Sequence, residues 1–251
     1  MCMRETPFSA GLFPLRGRPS RIAVLVLGSL LLSACGQERP SSEFDSTAGE
    51  TTESTTRTDT APAESAPRIL FLGDSITAGY GLDPGMAFPS LIQARLDSLG
   101  YDYEVVNGGL SGETTAGGLR RIDWLLQKDA DVLVVELGGN DGLRGFPPEV
   151  TQRNLIDIIR RARELQPDVR IILGGLKMPP NMGSAYTSSY EDLFESVAVD
   201  MDVELIPFIL EGVGGVPENN LPDGIHPNAE GHRILAETVW DALKPLLEPP
   251  A

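Results

Sequence analysis

The chain has 251 residues, of which 41% are hydrophobic, and its 36 acidic and 20 basic side chains give a formal charge of −16. That apolar content excludes a collagen-like or wholly disordered chain, and the acidic balance argues against nucleic-acid binding, which draws affinity from basic side chains at phosphates. Both cysteines, Cys2 and Cys35, fall in the first 35 residues, so no disulfide framework, cysteine nucleophile or zinc–thiolate site can follow, and two histidines, His226 and His232, are too few for a histidine-rich metal cage.

The N-terminus reads as an export signal over residues 1–34. Arg16, Arg18 and Arg21 precede an apolar run from Ile22 to Leu32. That run is shorter than the about 20 residues a membrane-spanning helix needs and suits a signal core of about 7–15. It ends in Leu32-Ser33-Ala34-Cys35-Gly36, which resembles a bacterial lipobox with cleavage before a lipid-bearing Cys35. A small-residue cleavage site with an incidental cysteine is the alternative. Residues 35–67 then shift to Ser, Thr, Glu, Pro and Ala, and Ser46–Ser65 lacks Val, Ile, Leu, Phe and Met. Such a segment cannot offset its ordering entropy by burial, so it is expected to be a flexible tether. The six basic and eight acidic residues before Arg68 leave residues 68–251 with 14 and 28, a formal charge of −14.

From Arg68 onward short apolar runs alternate with helix-like segments. Arg68–Leu72 is predicted as a strand, Phe88–Leu99 as a helix and Tyr103–Asn107 as a second strand. Thr115–Gln127 follows as a helix with Leu119, Ile122, Leu125 and Leu126 on one side. Asp131–Leu137 is a buried-strand pattern. Pro148–Gln166 carries proline in its first turn and Leu155, Ile158 and Ile159 at core spacing. Arg170–Leu173 is predicted as a strand, Tyr190–Asp200 as a helix, Glu204–Ile206 as a strand and Asn228–Leu247 as an amphipathic helix. Trp124 and Trp240 fall at helical core spacing. This rhythm implies an α/β fold, an open parallel sheet with helices on both faces, whose active residues gather at the carboxyl ends of the strands.

Four loops lie at that expected edge. Gly73-Asp74-Ser75-Ile76-Thr77 places a serine at a strand-to-helix turn, where it can be a nucleophile or a helix cap. Asn107–Thr114 contains Gly108, Gly109 and Gly112, which allow close backbone approach to a ligand or a tight turn. Gly138-Gly139-Asn140-Asp141 offers a carboxamide donor suited to an oxyanion, or ordinary turn chemistry. Asp223-Gly224-Ile225-His226-Pro227-Asn228 lets a carboxylate meet a histidine three residues on and fix its tautomer, or starts the last helix. His232, inside that helix, reads as structural or surface. As a set the loops supply a nucleophile, a base, an orienter and oxyanion donors.

Those four blocks, in this order, resemble the SGNH hydrolases, or GDSL-type esterases and lipases, with Ile76 where the family name has leucine. The likeness runs from Arg68 to about Leu247. Gly73–Tyr80, Glu136–Phe146 and Asp223–Asn228 are similar to the subgroup of periplasmic multifunctional thioesterases, lysophospholipases and arylesterases. The Gly-x-Ser-x-Gly elbow of α/β-hydrolases is absent. The resemblance implies a three-layer, flavodoxin-like fold with a five-stranded parallel sheet. It implies a serine esterase in which Ser75 attacks, His226 is the base and Asp223 holds it. The oxyanion would meet the Ser75 and Gly112 amides and the Asn140 side chain. It implies no metal or organic cofactor and no obligate protein partner.

Aryl esters, lysophospholipids and short-to-medium acyl esters are the expected substrates. An exported protein at −14 is a poor match for anionic acyl-CoA. Met178 and Met182, in the Pro-rich segment Lys177–Ser188, and Phe88, after Gly81, are candidate pocket residues. A carbohydrate O-acetyl esterase or acetyltransferase, and a non-catalytic surface-binding lipoprotein, are the alternatives. The expected location is the periplasm or cell surface, through a lipid anchor in the outer membrane.

Overall fold

The computed structural model describes residues 66–250. The signal read in residues 1–34, Cys35 and the tether up to residue 65 lie outside the described residues.

Five strands form one parallel sheet: β1 (Arg68–Gly73), β2 (Glu104–Gly109), β3 (Val132–Glu136), β4 (Arg170–Gly174) and β5 (Glu204–Ile206). Their spatial order is β2-β1-β3-β4-β5. The central strands are the most apolar in sequence: every residue of β1 (RILFLG) and β3 (VLVVE) is buried, whereas the edge strands β2 and β5 have exposed positions. Burial on both faces is why β1 and β3 read as continuous apolar runs rather than alternating ones. The sheet and its flanking helices give the three-layer α/β/α architecture expected from the sequence.

Among the described residues, seven helices accompany the strands: α1 (Ser75–Ala78), α2 (Phe88–Leu99), α3 (Thr115–Leu125), α4 (Gly139–Leu143), α5 (Pro148–Leu165), α6 (Ser184–Met201) and, after β5, α7 (Ala229–Leu243). The chain steps from β1 outward to β2, then crosses back to β3, β4 and β5. Right-handed crossovers therefore place α2 on one face and α3, α5 and α6 on the other. The packing follows: α2 pairs with α7, while α3, α5 and α6 lie side by side. The order reverses between β1 and β3, so a crevice opens at their carboxyl ends, the ligand position of such sheets.

Several elements differ from the sequence expectation. Helix α6 begins at Ser184, six residues before Tyr190, directly after Gly183 at φ 93°. No side chain caps that end, so the start carries no capping signal. The final helix stops at Leu243 because Pro245 has no N–H to continue it, and Lys244–Leu246 tightens into a 3-10 turn. Trp124 is 66% exposed, not core: it sits two residues from the buried Ile122, on the other side of α3. Trp240 is buried in α7. Phe88 is fully buried, edge-on to Phe71 at 5.4 Å, and does not form a pocket rim. It opens α2 between the sheet and His232, whose ring lies parallel to it at 6.1 Å.

Candidate active site

The first site residue sits where β1 ends. Asp74 caps the four-residue α1, its Oδ1 accepting the Ile76 N–H at 3.0 Å, and Gly79 closes the helix in the left-handed conformation. Ser75 is thereby the first residue of a helix too short to bury it, and its hydroxyl is half-buried at the sheet edge. Gly109 lets α1 lie directly on β2, since a Cβ there would come within 2.2 Å of the Ala78 amide nitrogen. That close packing, not ligand contact, accounts for the glycine pair ending β2.

The base arrives from the last loop. Asp223 Oδ1 accepts the Ile225 and His226 amides at 2.9 and 3.0 Å, folding Asp-Gly-Ile-His into a tight turn. The turn returns the His226 ring to its own start, where Nδ1 meets Asp223 Oδ2 at 2.8 Å. The other ring nitrogen, Nε2, lies 3.0 Å from Ser75 Oγ across 151 residues of sequence. The amide bonds from His226 and Ile225, then the ring, hold the Asp223 carboxyl down at about 2. It is a carboxylate throughout the neutral range, so Nδ1 is the protonated ring nitrogen and Nε2 is left to accept from Ser75. The loop is anchored by Asn220, whose side chain donates to the Val213 and Val216 carbonyls and whose backbone bridges to Pro227.

Three donors lie at the same sheet edge as the serine, after β1, β2 and β3. Ser75 N–H, at the helix start, and Gly112 N–H have no protein acceptor among the described residues. Asn140, in α4 after β3, donates from Nδ2 to Asp74 Oδ2 at 2.9 Å, which leaves its second N–H free. Gly112 adopts φ 79°, a left-handed position, and its carbonyl accepts from Arg144 Nη2 at 3.0 Å. Glu113 is buried and ion-paired with Arg121, whose guanidinium also holds the Gly73 and Gly108 carbonyls. The β1 and β2 ends are thus tied to the Gly112 loop by one cation.

An apolar cavity of about 420 Å³ adjoins these groups, within the usual range for small-molecule pockets. Ile76, Gly139 and Ile225, the chain neighbours of Ser75, Asn140 and His226, line it together with Leu143, Met178 and Phe208. Met178 is the one candidate pocket residue that reaches it. Met182 lies in the 3-10 turn Pro180–Met182 and packs on the hydrophobic core instead. Phe88 and the rest of residues 81–88 do not line it.

Four residues escaped the sequence reading of the site. Tyr80 lies against the His226 ring, Arg144 holds the Gly112 carbonyl, and Asp74 with Glu136 underlies Asn140. Tyr80 had one available signal, an aromatic held between Gly79 and Gly81 five residues after the serine. His232 is buried, and its Nδ1 accepts the Phe88 amide at 3.1 Å. It is a structural histidine.

The model of the GDSL-like Lipase/Acylhydrolase family matches residues 71–234, a span that runs from β1 into α7. Esterase TesA of Pseudomonas aeruginosa is 45% identical over 183 residues, 72% of this chain and 90% of that protein. The Escherichia coli K12 protein named thioesterase 1/protease 1/lysophospholipase L1 is 36% identical over 188 residues, 74% of this chain and 87% of that one. A crystal structure of TesA matches with a TM-score of 0.69 and 44% identity, over 72% of this chain and 99% of its own. The likeness thus extends through both ends of the site, from the serine turn to the histidine loop, and the chain belongs to the GDSL-like lipase/acylhydrolase family.

Proposed function

We propose that this protein is a serine esterase that cleaves carboxylic esters through an acyl-enzyme, with Ser75 as nucleophile. The observation that carries the reading is the relay Ser75 Oγ–His226 Nε2–Asp223 at 3.0 and 2.8 Å beside an apolar cavity. His226 takes the Ser75 proton as Oγ attacks the carbonyl carbon, and Asp223 holds the ring and stabilises the imidazolium that forms. The negative charge moves to the carbonyl oxygen, where the Ser75 and Gly112 amides and the free N–H of Asn140 receive it. Collapse expels the alkoxide, which takes the proton back from His226. Water, deprotonated by His226, then attacks the acyl-serine, and collapse releases the acid as His226 returns the proton to Ser75 Oγ.

The cavity favours an acyl group longer than acetyl, because its lining is mainly apolar, with Leu143, Leu176, Met178, Phe208 and Leu210 in it. Aryl esters, lysophospholipids and short-to-medium acyl esters are the proposed substrates, with thioesters within reach of the same chemistry. The name of the Escherichia coli relative supports that breadth. The charge of −14 on residues 68–251 works against anionic acyl-CoA.

Hydrolysis of a p-nitrophenyl ester series by the full chain, beside Ser75→Ala, tests the reading. Turnover of medium acyl chains that falls about a thousandfold or more in the variant supports it. Acetate-only turnover favours an O-acetyl esterase instead. Equal rates for both proteins would remove Ser75 as nucleophile.

We further propose that the protein is exported and held at a membrane by lipid on Cys35, which rests on the arginine–apolar–small–cysteine order of residues 16–35. Labelled palmitate should enter the wild-type protein and not Cys35→Ser, and the variant should leave the membrane fraction. Equal labelling would end that reading.

A further inference from the structure

β3 carries a glutamate, Glu136, at its carboxyl end in an otherwise apolar run. The side chain is fully buried, and so is Asp74 on the neighbouring strand's exit. Glu136 pairs in register with Gly73, and a Cβ on Gly73 would come within 2.9 Å of Glu136 Oε2. Glycine at that position leaves room for the Thr77 side chain and, beside it, the Glu136 carboxyl group.

Their partners are unequal. Asp74 is fully engaged: Oδ1 accepts the Ile76 amide at 3.0 Å and Oδ2 accepts Asn140 Nδ2 at 2.9 Å. On Glu136, Oε2 accepts the Thr77 hydroxyl at 2.7 Å and, weakly, the Asp74 amide at 3.4 Å. No donor reaches Glu136 Oε1. The side chain does lie within hydrogen-bonding reach of Asp74, but two ionised carboxylates have only acceptors to offer each other. Two buried charges of one sign in contact, with an oxygen left bare, is an arrangement that one proton resolves.

We infer that Glu136 is a protonated positioning residue: its carboxylic acid donates to the Asp74 carboxylate, which in turn fixes the Asn140 carboxamide with its second N–H toward the oxyanion. The inference rests on the esterase reading above. Burial, then the neighbouring Asp74 charge, push the Glu136 carboxyl well above its ordinary range. Burial also raises Asp74, but the Ile76 amide, Asn140 and the His226 ring oppose it. The proton therefore belongs to Glu136 and the charge to Asp74. That charge matters because both Asp74 oxygens accept from donors that must not turn. An amide at position 74 has one acceptor oxygen and cannot serve both.

Glu136→Gln and Asp74→Asn in the full chain separate the two protonation patterns. Gln mimics a protonated glutamic acid, so Glu136→Gln should keep kcat within about threefold of wild type. Asp74→Asn should lower kcat by about a hundredfold with KM little changed, approaching the loss of one oxyanion donor. The infrared carbonyl stretch of a protonated carboxylic acid should be present in wild type at neutral pH, persist in Asp74→Asn and vanish in Glu136→Gln. The reverse pattern, a damaged Glu136→Gln beside an intact Asp74→Asn, would put the proton on Asp74 and overturn the inference. So would a missing carbonyl band, or losses confined to stability and KM. Ser75→Ala measured alongside keeps the two claims apart. An active Ser75→Ala defeats the esterase reading beneath, whereas an inactive one with an inactive Glu136→Gln defeats this inference alone.

Discussion

The Tyr80 ring lies against the His226 imidazole, with centroids 4.4 Å apart and planes inclined by 36°. Tyr80 is half-exposed, yet it packs on the ring proposed as the base. Tyr80→Phe keeps the face and should keep activity. Tyr80→Ala should cost roughly two- to tenfold in kcat/KM, the usual scale of an aromatic contact. Steady-state kinetics of both variants on one ester would check this.

Asn140 is the one proposed oxyanion donor that is a side chain, so it can be removed without touching the backbone. Its carboxamide already binds Asp74, and only its second N–H is available to substrate. Asn140→Ala should lower kcat by about 10²–10³ with a small change in KM, because that bond forms only as charge develops on the carbonyl oxygen. Steady-state kinetics on one p-nitrophenyl ester suffice.

The two methionines of the segment after β4 now separate. Met178 is buried and lines the cavity, with its Sδ occupying the space over Gly142, where a Cβ would come within 2.1 Å of it. Met182 faces the core packing of α6. Met178→Ala enlarges the cavity and should shift chain-length preference toward longer acyl groups. Met182→Ala should leave the preference unchanged. An acyl-chain series on both variants distinguishes them.

How far the fold was legible depends on how local each feature is. β1 and β3 were readable because full burial needs an unbroken apolar run, and the serine turn and Asp-Gly-Ile-His turn were readable because each closes on its own neighbours. The contact between Asp74 and Glu136 joins residues 62 apart, and nothing local to either announces it. The two tryptophans make the same point. Both share helical spacing with leucines, but only packing decides that Trp240 is covered, by Tyr101 edge-on at 6.1 Å and the Arg95 guanidinium at 4.5 Å, while Trp124 stands in solvent. Denaturant melts should therefore show Trp240→Ala losing about 3–5 kcal/mol and Trp124→Ala less than about 0.5 kcal/mol.

His232 sets a pH dependence of folding that is separate from catalysis. Its burial holds the imidazole down to about 4, against 6.5 for an ordinary histidine. Its Nδ1 must stay unprotonated to accept the Phe88 amide at 3.1 Å, and that bond ties the start of α2 to α7. The unfolded chain therefore binds a proton at this residue before the folded one does. Stability from the neutral ring is complete above about pH 6.5 and is lost as pH falls toward about 4, by on the order of 3 kcal/mol at most. His232→Asn can offer a carbonyl oxygen to the same amide without titrating. Melting curves from pH 7 to pH 4 should show wild type losing more stability than His232→Asn over that window. Parallel curves would mean that other groups carry the acid sensitivity.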